Sequence, residues 1–394
     1  MNMINLLVRF QFLLLILTTN FCFGQIQSFY VQPNQTDTGY LAGQDSHLVV
    51  RNTVTNLNKL FVFIGGTGST TQQYQSISNF AANLGYDVIN LSYTNTVAAA
   101  SLANSSDSFV FNKYRQEVCY GTPLSNDVDV DTLNSIYTRI VKLINFLNST
   151  YPTQNWNQYL INPTTIDWTK ISIGGHSQGG GHACYFGKFN NVDRVIMFSG
   201  PNDYSNFYSN AANWMHESGI TPPERQFAYE SSLDEVIDFN NQIVCLKALG
   251  LSPLYDTVNV DNLMTPFNNS HILYTTQSPG IVLLNHNVTV KNTTINNAVW
   301  EYFLTSPIVL GLQNNIKTGN IKIWPNPAKN LIFITDETFI GEVRYSIYNL
   351  SGQLLKTKTL NEESQKHVID ISDLNDGLFI LKFNGKTAKI IKKH

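Results

Sequence analysis

The feature that most constrains this chain is a set of short runs in which every residue is apolar, clearest at Leu60-Phe61-Val62-Phe63-Ile64 and Val195-Ile196-Met197-Phe198. A half-exposed strand alternates polar with apolar side chains. A strand with no polar position must be covered on both faces, which is the condition of a parallel sheet between two helix layers. Apolar or β-branched runs predict strands at His47 to Arg51, Lys59 to Ile64, Asp87 to Tyr93, Lys170 to Gly174, Arg194 to Ser199, Gln226 to Tyr229 and His271 to Thr276. Amphipathic stretches between them predict helices over Thr71 to Leu84, Asp129 to Leu147, Gln178 to Phe189 and Asp238 to Leu249. The alternation predicts an α/β fold, a mostly parallel sheet flanked by helices. The polar stretch from Asn95 to Thr122 has no clean period and reads as an excursion near the loop end of the sheet.

After Pro307 the helical pattern stops. Residues 308 to 320 read as a linker, and from Ile321 short alternating strands with turns at Pro325-Asn326-Pro327, Ser351-Gly352 and Asn375-Asp376-Gly377 predict a small all-β sandwich. A chain of 394 residues is thus divided into an α/β domain over 25–307 and a β domain over 321–394. Residues 1–24 carry Arg9, an apolar run from Phe10 to Leu17 and then Phe21-Cys22-Phe23-Gly24, the pattern of an export signal cleaved after Gly24. That run is shorter than the roughly 20 residues a bilayer span requires, so no stable membrane span is expected. A lipid-modified Cys22 is the weaker reading, because Asn20-Phe21 before it are not small.

The charged fraction of 13% and a net charge of −3 leave no basic field for nucleic acid, which is not an expected partner. Beyond the leader, Cys119, Cys184 and Cys245 are odd in number and read as buried thiols rather than a disulfide framework. No His-X-X-X-His or Cys-X-X-Cys spacing occurs, so neither a metal nor a cofactor is expected.

Chemistry enters at Gly175-His176-Ser177-Gln178-Gly179, which follows the apolar run Ile171-Ser172-Ile173 and opens a predicted helix. A chain reversing from strand to helix in so few residues holds its central residue in a strained conformation, and glycines on either side remove the Cβ atoms that would collide. Ser177 is the expected nucleophile. A developing oxyanion needs fixed N–H donors. Gln178, next after the nucleophile, supplies one, and the loop Gly65-Gly66-Thr67-Gly68-Ser69 supplies another from Gly66 or Thr67. A phosphate cradle is the alternative for that loop, but no lysine accompanies it. Two strands on from the serine, Asp234 lies in the loop Glu230 to Glu235 where the acid of a triad belongs, with Asp203 as its rival one strand earlier. His286, in the loop after the last predicted strand, is the expected base, whereas His271 opens that strand at the opposite end. His176 and His182 are read as packing or lining residues facing away from the proton. Tyr204, Phe207, Tyr208, Trp214 and His216 are equally well a lid over the site or ordinary core.

Two resemblances follow from these residues. Ile173 to Phe186 with Val195 to Asp203 resembles a little-characterised family of bacterial α/β hydrolases over most of residues 45 to 305, which implies an α/β-hydrolase fold and a Ser-Asp-His triad on Ser177, Asp234 and His286. Trp324 to Leu331, Ile347 to Leu355 and Ile369 to Leu381 in order resemble the C-terminal sorting domain of type IX secretion cargo, with Trp324 in place of the usual Tyr. That likeness implies export from a Gram-negative bacterium and the secretion machinery as a partner. The expectation is an exported serine hydrolase acting on an ester-containing small molecule, lipid or polymer. A peptidase or amidase, and a catalytically silent surface protein, are the alternatives.

Overall fold

The computed structural model describes residues 26–40, 45–252, 254–280, 284–308, 322–335, 341–349, 353–362, 366–383 and 386–393. The predicted leader at 1–24 and all but Ile308 of the predicted linker lie outside them. Two compact units are present, one ending at Ile308 and one beginning at Val309.

The first unit is built on nine strands: β1 (Ile26–Val31), β2 (His47–Asn52), β3 (Leu60–Ile64), β4 (Asp87–Leu91), β5 (Ile171–His176), β6 (Arg194–Phe198), β7 (Gln226–Ser231), β8 (Thr257–Asn259) and β9 (Ile272–Thr275). They lie in the order β1-β2-β4-β3-β5-β6-β7-β9-β8. The pairs from β4 to β8 along this order are parallel, and β1–β2 and β2–β4 are antiparallel. The α/β-hydrolase expectation is thereby corrected to a large mixed sheet, mostly parallel, accompanied by small antiparallel ribbons at 160–166 and 204–211. The reason is connection length. Residues 53–59 alone link β2 to β3, too few for the dozen or so that a parallel crossover needs. Among the described residues the link from β1 to β2 carries one four-residue helix, Pro33–Thr36, too short to serve as a crossover. Both strands therefore enter without a crossover helix. β1 and the edge strand β8 were not anticipated from the sequence.

The uninterrupted apolar strands divide their side chains between two cores. Leu60, Val62 and Ile64 of β3 join one cluster and Phe61 and Phe63 the other, all fully buried. The first cluster is closed by α2 (Val110–Tyr120), α3 (Ile136–Thr150), α4 (Gln178–Phe189) and α5 (Phe239–Ala248); the second is closed by α1 (Gln75–Asn83) and α6 (Thr294–Thr305). α2 occupies the stretch read as an excursion, and α6 follows the last predicted strand. Cys119, Cys184 and Cys245 are free, buried thiols on α2, α4 and α5.

The second unit has a three-stranded sheet, β10 (Lys322–Trp324), β11 (Leu331–Thr335) and β14 (Lys366–Asp370), in the order β10-β11-β14. Its four-stranded sheet contains β12 (Gly341–Tyr348), β13 (Leu354–Glu362), β15 (Gly377–Phe383) and β16 (Lys386–Lys392), in the order β13-β12-β15-β16. Both are antiparallel and share one core around Ile332, Ile334, Ile347, Ile369, Leu381 and Ile390. The Pro-Asn-Pro turn is tied to the final strand through Asn326, whose side chain donates to the Lys389 carbonyl and accepts from the Ile391 amide, each at 2.8 Å.

Candidate active site

At the C-terminal end of β5 the backbone turns into α4 through Ser177, at φ 58° and ψ −126°. This left-handed conformation is costly for a residue with a Cβ and persists only where the surroundings impose it. Here the glycines impose it. A Cβ on Gly175 would strike the Gly179 backbone, and one on Gly179 would strike the carbonyls of Ile64 and Gly65. The two glycines let β3, the turn and the helix meet backbone to backbone. Ser177 is left almost buried, with its Oγ accepting a hydrogen bond from Asn202 Nδ2 at 3.1 Å.

His286 borders the same cavity as Ser177, a space of about 450 Å³. Its Nδ1 lies 2.7 Å from Asp234 Oδ2, and the Asp234 carboxylate is fully buried. Asp234 is fixed in turn: its Oδ1 accepts from the amides of Val236 at 2.8 Å and Ile237 at 2.9 Å, and Gln242 Nε2 donates to Oδ2 at 3.4 Å. The His286 amide points to the Glu235 carboxylate at 3.3 and 3.4 Å. A carboxylate on Nδ1 holds the proton at that nitrogen and leaves Nε2 as the basic one.

Asp203, the rival acid, has a different task. Both its oxygens face Arg115, Oδ2 to Nε at 3.1 Å and Oδ1 to Nη2 at 2.5 Å, and Trp214 Nε1 donates to Oδ2 at 3.0 Å. The pair is fully buried. Arg115 continues to the elbow, where Nη1 donates to the Gln178 carbonyl at 2.7 Å. The segment read as an excursion thus carries the cation that braces the first turn of α4.

Of the expected oxyanion donors, Gly66 is not available, because its N–H donates to Tyr74 Oη at 3.0 Å. The N–H groups of Thr67 and Gln178 have no acceptor among the described residues, and Gln178 opens α4, where no intrahelical partner exists. The Gln178 side chain ties the parts together: Oε1 accepts from Thr67 Oγ1 at 2.7 Å and from Tyr114 Oη at 3.2 Å, and Nε2 donates to Tyr93 Oη at 3.0 Å.

Of the two roles expected for His176, packing or lining, the structure shows the lining one. It borders the cavity, its ring centroid 4.8 Å from that of His286, and Nε2 donates to the His286 carbonyl at 2.9 Å. Burial, reinforced by the neighbouring His286, pushes its pKa down to about 3. His182 is buried on α4, stacked on Tyr114 at 5.8 Å, with Nδ1 3.5 Å from Cys119 Sγ. His271 stacks on Tyr255 at 3.8 Å, at the other end of the sheet. Trp214 packs on Tyr185 at 5.0 Å, Phe207 and Tyr208 pack on each other in solvent, and none of the proposed lid aromatics borders the cavity. Tyr74, Asn202 and Glu235 were missed. No short motif announces them, although Asn202 lies in the quoted run Ser199 to Asp203.

Residues 322–394 match the family described as the secretion system C-terminal sorting domain. The tail marks the chain for export through type IX secretion machinery to the cell surface or beyond. No curated protein matches the chain. Among the described residues no helix is long and apolar enough to cross a membrane.

Proposed function

We propose that the first unit is a serine hydrolase that cleaves carboxylic esters through an acyl-enzyme. The observation that carries this reading is the strained turn at Ser177, which presents a hydroxyl in a cavity shared with a histidine held by a buried carboxylate. Strain of that kind is retained where it serves a site.

In the proposed reaction His286 Nε2 takes the Ser177 proton as Oγ attacks the ester carbonyl. The tetrahedral oxyanion accepts hydrogen bonds from the N–H groups of Thr67 and Gln178. Its collapse expels the alcohol, which receives the proton from His286. Water then attacks the acyl-enzyme by the same route and releases the acid. Asp234 holds the tautomer and stabilises the imidazolium without taking the proton. A cavity of about 450 Å³ has the dimensions of a small-molecule site.

The test is labelling of the exported chain by a fluorophosphonate, beside Ser177→Ala, followed by p-nitrophenyl esters and matched anilides. Labelling and ester turnover that vanish in Ser177→Ala are expected. Absence of Ser177-dependent labelling refutes the hydrolase reading, and faster anilide than ester turnover replaces esterase with amidase.

A further inference from the structure

We propose that His176 and Tyr74 act as a positioning relay that fastens the His286 loop to the glycine loop across Ser177. The inference rests on the catalytic reading of Ser177 and His286. Its donors and acceptors allow one assignment. The His286 carbonyl can only accept, so His176 Nε2 carries the hydrogen in their 2.9 Å contact. A neutral imidazole then has Nδ1 as acceptor, and Tyr74 Oη, 3.0 Å away, must donate to it. The Tyr74 oxygen is thereby left with its lone pairs for the Gly66 N–H at 3.0 Å. A single chain of three hydrogen bonds runs from the glycine loop through the turn before α1 and the elbow to the histidine loop.

Both relay side chains are buried, Tyr74 at 3% and His176 at 2% exposure, so no water substitutes readily for either partner. Packing supports the connection. A Cβ on Gly66 would lie 3.1 Å from Ser177 Cβ and 3.2 Å from His176 Nδ1, so glycine loop and elbow already touch. His286 is held at three atoms by three different groups: its carbonyl by His176, its amide by Glu235 and its Nδ1 by Asp234. Only the contact from His176 ties it to the element that carries the nucleophile. Loss of that contact leaves the Asp234 bond intact and frees the loop to drift relative to Ser177, and displacements near 1 Å cost on the order of 100-fold in rate.

The experiment uses the full chain and four variants: His176→Phe, which keeps a ring without nitrogens; His176→Gln, whose amide reaches the Nε2 position; Tyr74→Phe; and Tyr74→Phe with His176→Phe. kcat and KM on the best ester, the rate of fluorophosphonate inactivation and the melting midpoint are measured together. The expected result for His176→Phe is a kcat loss on the order of 30- to 100-fold with KM within roughly two-fold. His176→Gln recovers most of the rate, and the double variant is no worse than His176→Phe, because the two residues act as one unit. Full kcat in His176→Phe overturns the relay, as do multiplying losses in the double variant. So does a rate loss in His176→Gln equal to that in His176→Phe. Should His176→Phe fail to fold, Tyr74→Phe and His176→Gln decide: wild-type kcat in Tyr74→Phe, or no retained rate in His176→Gln, overturns it. A parent chain without Ser177-dependent turnover fails earlier, at the hydrolase reading itself.

Discussion

Two buried aspartates, Asp203 and Asp234, are predicted to separate stability from catalysis when each is changed to asparagine. Three donors converge on Asp203: Arg115 Nε, Arg115 Nη2 and Trp214 Nε1. An amide offers one oxygen, so Asp203→Asn sets an N–H against at least one of these donors and leaves the Arg115 cation without a counter-charge in a fully buried place. Breaking a buried pair from one side costs ~3–5 kcal/mol. In a unit of this size each kcal/mol moves the midpoint by about 2–4 °C, which gives a fall of roughly 6–20 °C. Asp234→Asn meets a different environment. Its Oδ1 keeps the amides of Val236 and Ile237, so the new Nδ2 is turned toward His286 Nδ1 and donates to it. That places the imidazole proton on Nε2, the nitrogen meant to receive the serine proton. Loss of kcat by about 10³- to 10⁴-fold is expected, as for the same change in the Ser-His-Asp template, with the melting midpoint moved by only a few degrees. Thermal melts with single-turnover hydrolysis measure both. An Asp203→Asn chain that melts with the wild type, or an Asp234→Asn chain that keeps its turnover, refutes the division of labour.

Three further outcomes follow from the same geometry. Burial holds His47, His176 and His271 at about 3, so below pH 6.5 the unfolded chain binds protons that the native chain refuses. Stability present above the unfolded pKa is therefore lost as pH falls toward 3, by at most ~1.4 kcal/mol per unit for each histidine, and urea midpoints flat between pH 7 and 5 contradict this. Gly179→Ala drives a methyl group into the carbonyls of Ile64 and Gly65, and the expected result is loss of soluble, fluorophosphonate-reactive protein; a reactive chain of normal melting point refutes that packing. Lys291 borders the cavity beside His286, with no carboxylate within ion-pairing distance among the described residues. An ester carrying an acidic group is expected to gain over its neutral isostere, and Lys291→Gln to erase a preference of about two- to five-fold that fades with salt, as exposed charge pairs do.

What could be read from the sequence, and what could not, divides along a physical line. Continuous apolar runs marked the buried strands because burial on both faces leaves no other composition. The Gly-X-Ser-X-Gly turn marked Ser177 because only glycines tolerate such close backbone approach. α2 escaped because its buried face is partly polar: Arg115 and Glu117 are both almost wholly inside, where a helical period of apolar residues is sought. Arg115 is compensated by Asp203, eighty-eight positions away, and Glu117 by the amides of Leu124, Ser125 and Val130. Such residues lower the apparent amphipathicity of a helix while holding it firmly, and the signal that identifies them is the partner, which sequence order hides. The partners of His176 were hidden for a related reason. Adjacency to Ser177 said only that its side chain points differently from the serine's; what it points at comes from the loop after β9, brought alongside by the sheet. Groups that neither period nor motif singles out hold the parts of the site together: Arg115 beneath the helix, Tyr74 between the loops and Glu235 on the His286 amide. The proposed nucleophile thus lies on a motif, while Tyr74 and Glu235, which hold the loops around it, lie on none.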